Sequence, residues 1–203
     1  MHFSKGDIDY LRTLNMFDEE FLSYLADFKF DGTIWAVPEG TPVFPYEPLV
    51  TVKGKLIEAQ LLETFLLVTI NHQSLIATKT HRIVQEAKGR PVMEFGARRA
   101  QGYDGATYGA RAAYIGGAAG TATVSAGKAF GIPVLGTMAH SFVQSFDTEY
   151  DAFKAYAEIY PDSCILLVDT YDTLKSGIPN AIRVAEEVLQ PMGKTLAGIR
   201  IDS

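Results

Sequence analysis

The run "CILLVDT" (Cys164–Thr170) sets five apolar residues side by side and then stops on an acid and a hydroxyl. A strand with one wet face alternates apolar and polar side chains. A strand that is apolar without interruption is buried on both faces, which is the condition of a strand in a parallel sheet. The next segments of the chain agree. "PNAIRVAEEVLQPMG" (179–193) reads as a return helix with Pro179 suited to its first turn, and "LAGIRIDS" (196–203) begins another strand. Strand, helix and strand of these lengths make a βαβ unit. In folds built from such units, ligands gather at the C-terminal ends of the strands.

The same layout recurs toward the N-terminus. "PVMEF" (91–95) is a short strand, followed by a loop and helix in "GARRAQGYDGATYGARAAYIGG" (96–117). "GTATVSAGKAFG" (120–131) gives a turn or short strand and a helix. "IPVLGT" (132–137) is a strand, and "DTEYDAFKAYAEIY" (147–160) is a helix with Tyr150, Phe153, Tyr156 and Tyr160 at helical spacing. Before residue 90 the texture differs. "SKGDIDYLRTL" (4–14) and "DEEFLSYLADF" (18–28) read as short helices that each open on a capping residue. "GTIWAVPEGTPVFPYEPLVTVKG" (32–54) holds short strands and turns, punctuated by Pro38, Pro42, Pro45 and Pro48. No proline or glycine interrupts 56–87, so a long helix is expected there, with Leu62, Phe65, Thr69, His72 and Ile76 on one side and Gly89 closing it. The fold class is therefore α/β, with a parallel sheet that is either open or closed into a barrel.

Composition excludes several functions. The formal charge of −6 over 203 residues lacks the basic footprint of a nucleic-acid or membrane-surface binder. The most apolar window, "LIEAQLLETFLLVTI" (56–70), is broken by Glu58, Gln60 and Glu63 and is too polar to span a bilayer. "MHFSKGDIDYL" has no signal-peptide character. A single cysteine, Cys164, permits no internal disulfide and reads as a small buried hydrophobe, which suits a reducing, cytoplasmic location. His72 and His81 read as packed or surface residues of the long helix.

Each strand end delivers polar chemistry. The first gives Glu94-Phe95-Gly96 and then Arg98-Arg99; the second gives Gly120, Thr121 and Thr123. The third gives Gly136-Thr137, His140 and Ser141, the fourth Asp169-Thr170-Tyr171-Asp172-Thr173, and the last Arg200, Asp202 and Ser203. A scaffold alone does not need that repetition. Arg98 and Arg200 can fork onto phosphate or carboxylate. Asp169, Asp172 and Asp202 are hard oxygen ligands suited to Mg²⁺ or to ribose hydroxyls. Glycines and threonines such as Thr137 and Thr170 offer close backbone approach and hydroxyl donors to phosphate oxygens. Phe95 offers either a core ring or a face for a flat ligand, and His140 is a base, acid or nucleophile. Together they suit a phosphorylated sugar with magnesium. "GTATVSAGKAF" is not a phosphate-binding P-loop, because six residues separate Gly120 from Gly127 and Ala129 follows Lys128. "GGAAG" (116–120) is not a dinucleotide fingerprint and is expected to serve tight helix packing.

With these residues in view, the chain resembles the nicotinate phosphoribosyltransferase family. The resemblance is carried by "EFGARRAQGYDGATYGARAAYIGG", "GIPVLGTMAHSFVQSF", "ILLVDTYDTLKSGIPNAI" and "GIRIDS", in order, and extends over essentially the whole chain. It implies an N-terminal α+β domain, here 1–90, followed by the first part of an irregular α/β barrel, here 91–203. It implies conversion of nicotinate and phosphoribosyl pyrophosphate to nicotinate mononucleotide and pyrophosphate, coupled to ATP hydrolysis and assisted by Mg²⁺, in a homodimer. His140 matches the histidine that ATP phosphorylates, Arg98 a phosphate-binding arginine and Phe95 a ring that stacks on the pyridine. Asp169, a magnesium ligand by this reading, lies with Arg200 and Asp202 around ribose, pyrophosphate and metal. Thr137, Thr170 and Ser203 fall among the substrate-binding positions.

Relatives in that family often read Gly-Thr-Ser-Asn where this chain has Gly120-Thr121-Ala122-Thr123, so no polar role is expected at position 122. The resemblance further implies that a segment before Met1 and the barrel strands after Ser203 are missing. Only about five strand positions are present, too few to close an eight-stranded barrel, and "LAGIRI" would form an open apolar edge. The 203-residue chain alone is accordingly expected to be inactive. Rival readings are a nicotinamide- or quinolinate-using relative and a non-catalytic remnant kept for assembly. An aldolase-type barrel would want a strand-end lysine, and neither Lys128 nor Lys175 is one.

Overall fold

Ser4 and Asp18 start the first two helices. In α1 (Lys5–Thr13) the Ser4 hydroxyl accepts the Asp7 N–H at 3.2 Å, while the Asp7 carboxylate accepts the Ser4 N–H at 2.7 Å, a closed capping box. Asp18 accepts the Phe21 N–H at 2.8 Å and opens α2 (Glu19–Ala26). The two helices bury Ile8, Leu22 and Leu25 against Phe3, Leu11, Phe21, Tyr24 and Leu61. A computed structural model describes residues 1–202; Ser203, expected at the substrate, lies outside the described residues. The chain forms two compact units, Met1–Val134 and the residues from Leu135 onward.

In the first unit, β1 (Thr33–Ala36) runs antiparallel to β2 (Val50–Lys53), with Thr33 opposite Lys53 and Ala36 opposite Val50. Pro38, Pro42, Pro45 and Pro48 all fall in the connection between them, where a missing N–H interrupts no ladder. Helix α3 (Leu56–Glu86) forms as its unbroken sequence requires, and Lys88 and Gly89 end it with positive φ. Its partner is α4 (Gly102–Ile115). The helices meet closely because a side chain at Gly116 would collide with the Ala77 carbonyl and Thr80 of α3, so "GGAAG" does serve packing. His72 joins the same seam, with Nε2 at 3.2 Å from the Gly105 carbonyl, while His81 is exposed. Phe65 is 66% exposed, since the contacts from α4 fall on the later turns, at His72, Ile76, Ala77 and Thr80.

The strands that carry the recurring layout of strand then helix are very short. β3 (Met93–Glu94) pairs in parallel with β4 (Gly120–Thr121), and α5 (Val124–Phe130) follows. The strand expected over 132–137 shrinks to a single bridge between Thr121 and Val134. Pro133 explains this: it has no N–H to give, and only its carbonyl enters the ladder, accepting the Thr121 N–H at 3.0 Å.

In the second unit, β5 (Ile165–Leu167) pairs in parallel with β6 (Gly198–Arg200), Leu167 standing opposite Arg200. This is the predicted pairing of "CILLVDT" with "LAGIRIDS". Cys164, Leu166, Leu167 and Val168 are buried among Val143, Phe153, Ala157, Val184 and Leu189. Burial pushes the Cys164 thiol above its ordinary pKa, in keeping with a packing residue. Helix α6 (His140–Gln144), only five residues long, is not expected from the sequence; α7 (Glu149–Ile159) is. The return helix is irregular. It opens with a π-helical turn (Thr173–Gly177), continues as α8 (Ile178–Val184), widens again at Ala185–Leu189, and ends past Met192 at Gly193, where φ is positive. The opening turn lies directly on β5: a Cβ on Gly177 would overlap the Val168 carbonyl oxygen. Ile199 and Ile201 are exposed, and β6 has no second strand partner among the described residues. No described helix is long and apolar enough to cross a membrane.

One buried carboxylate anchors the start of α3. Glu58 accepts the Asp31 N–H at 2.9 Å and pairs with Lys55 at 3.2 Å, and these contacts, the backbone bond first, hold its pKa below the usual carboxylate value. A depressed folded-state pKa stabilises the fold above the unfolded-state value, and that contribution is lost as pH falls through the folded one. Glu58→Gln is therefore expected to lower stability at neutral pH and to flatten the acid limb of the stability profile. Thermal unfolding of both proteins across the acid range checks this; parallel profiles contradict it.

Candidate active site

The parallel pair β5–β6 builds one cluster. Beyond β5 the Val168 N–H donates to the Arg200 carbonyl at 3.1 Å, extending the ladder and setting Asp169 beside the end of β6. The Asp202 N–H then donates to Asp169 Oδ2 at 2.6 Å. His140 reaches the same carboxylate from the start of α6, with Nε2 at 3.1 Å from Asp169 Oδ1. The carboxylate accepts only, so the proton of a neutral His140 ring is assigned to Nε2 and the lone pair to Nδ1. Nδ1 lies 3.9 Å from Asp202 Oδ2, too far for a hydrogen bond. Asp202 is itself paired with the Arg200 guanidinium. The Asp169 side chain is 6% exposed and that of His140 36%. The imidazole is thus held at Nε2 and is partly exposed, with a fixed tautomer and an Nδ1 lone pair that makes no hydrogen bond to Asp202 and can act as base or nucleophile.

Thr137 and Thr170 lie on the loops that carry His140 and Asp169. Their hydroxyls are buried and have no hydrogen-bond partner among the described residues. No set of three or more His, Cys, Asp or Glu able to hold a metal ion occurs among the described residues.

The first unit holds the other expected residues. Phe95 is 40% exposed, and Arg98 is exposed on a 3₁₀ turn (Ala97–Arg99). Glu94 shapes this loop, since its Oε1 accepts the Gly96 N–H at 2.5 Å and its Oε2 the Thr121 hydroxyl at 2.6 Å. The Thr121 hydroxyl in turn accepts the Thr123 N–H at 2.9 Å. A cleft of about 520 Å³ adjoins the loop, lined by His72, Lys79, Glu94, Phe95, Arg99 and Gln101 among others, so Arg99 faces it where Arg98 does not.

Four of the expected residues, His140, Asp169, Arg200 and Asp202, are therefore joined in one bonded cluster, and Phe95 and Arg98 share one loop of the other unit. Two supporting networks are not expected from sequence. The Glu94–Thr121 clamp is visible there only as polar strand ends. A part-buried group of Glu149, Ser176 and Asn180 leaves no signal, because Glu149 after Thr148 looks like an ordinary first-turn acid. Asp169 accepts from donors on two segments, so Asp169→Ala removes two charge-assisted hydrogen bonds and is expected to destabilise the fold by about 1–3 kcal/mol. Urea unfolding followed by circular dichroism measures this, and an unchanged midpoint contradicts it.

Comparison with known proteins agrees over both units. Residues 1–71 match the family model described as the nicotinate phosphoribosyltransferase N-terminal domain, and residues 91–203 match the nicotinate phosphoribosyltransferase family model. A nicotinate phosphoribosyltransferase of Mycobacterium tuberculosis is 52% identical over 186 residues, covering 92% of this chain and 40% of the relative. That of Bacillus subtilis is 49% identical over 201 residues, covering 99% and 40%. The crystal structure of human nicotinic acid phosphoribosyltransferase superposes with a TM-score of 0.90 at 32% identity, covering all of this chain and 50% of the human one. The chain spans about 40% of the length of these curated relatives. On its motifs, its fold and the models it matches, this chain belongs to the nicotinate phosphoribosyltransferase family.

Proposed function

We propose that the chain carries the phosphoryl-accepting cluster of a nicotinate phosphoribosyltransferase, which makes nicotinate mononucleotide and pyrophosphate from nicotinate and phosphoribosyl pyrophosphate in NAD biosynthesis. ATP hydrolysis is coupled through His140. The observation that carries this reading is the His140 ring, held at Nε2 by Asp169, with Nδ1 beyond hydrogen-bond distance of Asp202. In the first step the Nδ1 lone pair attacks the γ-phosphorus of ATP, an N–P bond forms, the bond to the bridging oxygen breaks and ADP leaves. Asp169 stabilises the positive charge that the ring acquires, as a carboxylate behind a nucleophilic or basic histidine does elsewhere. In the second step the pyridine nitrogen of nicotinate forms a bond to the anomeric carbon of the phosphoribosyl group while the bond to pyrophosphate breaks. Water then takes the phosphoryl group from His140 as inorganic phosphate.

Negative charge grows on the departing pyrophosphate, and Arg200 with the Thr137 and Thr170 hydroxyls are the donors suited to meet it. Phe95 offers a face to the pyridine ring and Arg98 a fork to an anionic group of the ligand. A magnesium ion bound with the substrate phosphates would be held by protein carboxylates and would supply charge neutralisation there. Asp169, with Asp202 beside it, is the carboxylate that would hold the ion. A cytoplasmic homodimer belongs to the same proposal.

Purified protein expressed from its whole open reading frame should take up acid-labile phosphate from γ-labelled ATP. The label should map to His140, be absent from His140→Ala, and be discharged with formation of nicotinate mononucleotide when nicotinate and phosphoribosyl pyrophosphate are added. Label that persists in His140→Ala, or mononucleotide made at an undiminished rate by that variant, would contradict the assignment.

A further inference from the structure

Glu149 is the first residue of α7 and is buried, 5% exposed. Its Oε2 accepts the Ser176 hydroxyl at 2.5 Å and the Asn180 side-chain amide at 3.2 Å, and that amide also lies 3.3 Å from the Ser176 oxygen. Its Oε1 is buried with no hydrogen-bond partner among the described residues. A carboxylate in that position is costly, and an apolar side chain would fill the space without the desolvation penalty. Packing therefore does not explain it.

The two segments that Glu149 joins do explain it. Four residues separate the end of α6, which begins with His140, from Glu149 at the start of α7. Ser176 belongs to the π-helical turn that comes after Asp169, Thr170, Tyr171 and Asp172. That turn is closed on itself. Asp172 Oδ1 accepts the Leu174 and Lys175 N–H groups at 3.1 and 2.9 Å, and its carbonyl accepts those of Ser176 and Gly177, both at 2.9 Å. Gly177 sets its far end against the Val168 carbonyl. Within this closed loop, Ser176 turns its side chain to α7, the helix that follows the one beginning at His140. Glu149 is thus a second tie between the segment carrying His140 and the segment carrying Asp169, beneath the direct bond between those two residues.

We propose that Glu149 is a positioning residue for the His140–Asp169 site. Through Ser176 and Asn180 it holds the 169–177 segment in the register that keeps Asp169 behind the imidazole and aims Thr170 at the phosphoribosyl or phosphate ligand. The inference rests on the proposed transferase function. Glu149 touches no reacting atom, and its effect is carried by hydrogen bonds, so a glutamine, which keeps one acceptor oxygen, should preserve it.

The test compares Glu149→Gln, Glu149→Leu, Ser176→Ala and the Glu149→Leu/Ser176→Ala double variant in the purified protein. Glu149→Leu should speed amide exchange at 174–177 by about tenfold while exchange at 165–168 stays unchanged, a local opening distinct from unfolding. Its kcat/KM for phosphoribosyl pyrophosphate should fall by about 10- to 100-fold, the scale of a displacement near 1 Å. Glu149→Gln should stay within about threefold of the parent protein in both readouts, and the double variant should be no worse than Glu149→Leu, since both substitutions cut one link. Unaltered exchange at 174–177 in Glu149→Leu overturns the proposal. So does exchange that rises equally over 165–168, which marks Glu149 as a general stability residue, and so do additive losses in the double variant. A parent protein with no transferase activity defeats the functional reading; the exchange comparison then decides on its own whether Glu149 holds the segment.

Discussion

One carboxylate organises the second unit. Asp169 accepts the His140 ring proton and the Asp202 N–H, and so ties together the end of β5, the end of β6 and the start of α6. It can do so because β5 and β6 are parallel and in register, which brings both strands to their ends on the same side. Leu166 and Leu167 of β5 lie fully buried beneath. Burial of the strand and polarity at its end are therefore parts of one design. The strand fixes where the carboxylate sits, and near-complete removal of that carboxylate from solvent makes its hydrogen bonds strong and directional.

The same device appears wherever a loop must be held against short secondary structure. Glu58, at the start of α3, fixes the backbone at Asp31, Glu94 clamps the loop after β3 to the end of β4, and Glu149 holds the turn beyond Asp169. The strands concerned are two to four residues long, too few to define the loops through ladder bonds alone. Acidic side chains accepting N–H and O–H groups supply the missing constraints. Each is acceptor-only when ionised, which sets the direction of every bond it makes, including the one that assigns the His140 tautomer.

Much of this is legible in the sequence. The uninterrupted apolar texture of 164–168 announces a buried parallel strand, and the unbroken stretch after Leu56 announces the long helix. The residues at the ends of β5 and β6 announce the cluster, because ionisable groups directly after a buried strand have few purely structural uses. Other features are not legible. A strand over 132–137 fails because Pro133 cannot donate, and the π-helical opening of the return helix depends on how closely Gly177 can approach Val168, which no periodicity records. Glu149 escapes notice because a first-turn acid is ordinary in solvent, and burial is decided by residues 27 and 31 positions away.

One proton decides the chemistry of this site. If Asp169 holds His140 through Nε2, the neutral ring carries hydrogen there and a lone pair on Nδ1, the nitrogen to which phosphoryl transfer is assigned. Nitrogen-15 NMR of selectively labelled His140, at a pH where the ring is neutral, reads this directly. The account predicts Nε2 in the protonated shift range and Nδ1 in the unprotonated range, with both signals moving toward a tautomer mixture in Asp169→Ala. A ring protonated on Nδ1, or an even mixture in the parent protein, would contradict it.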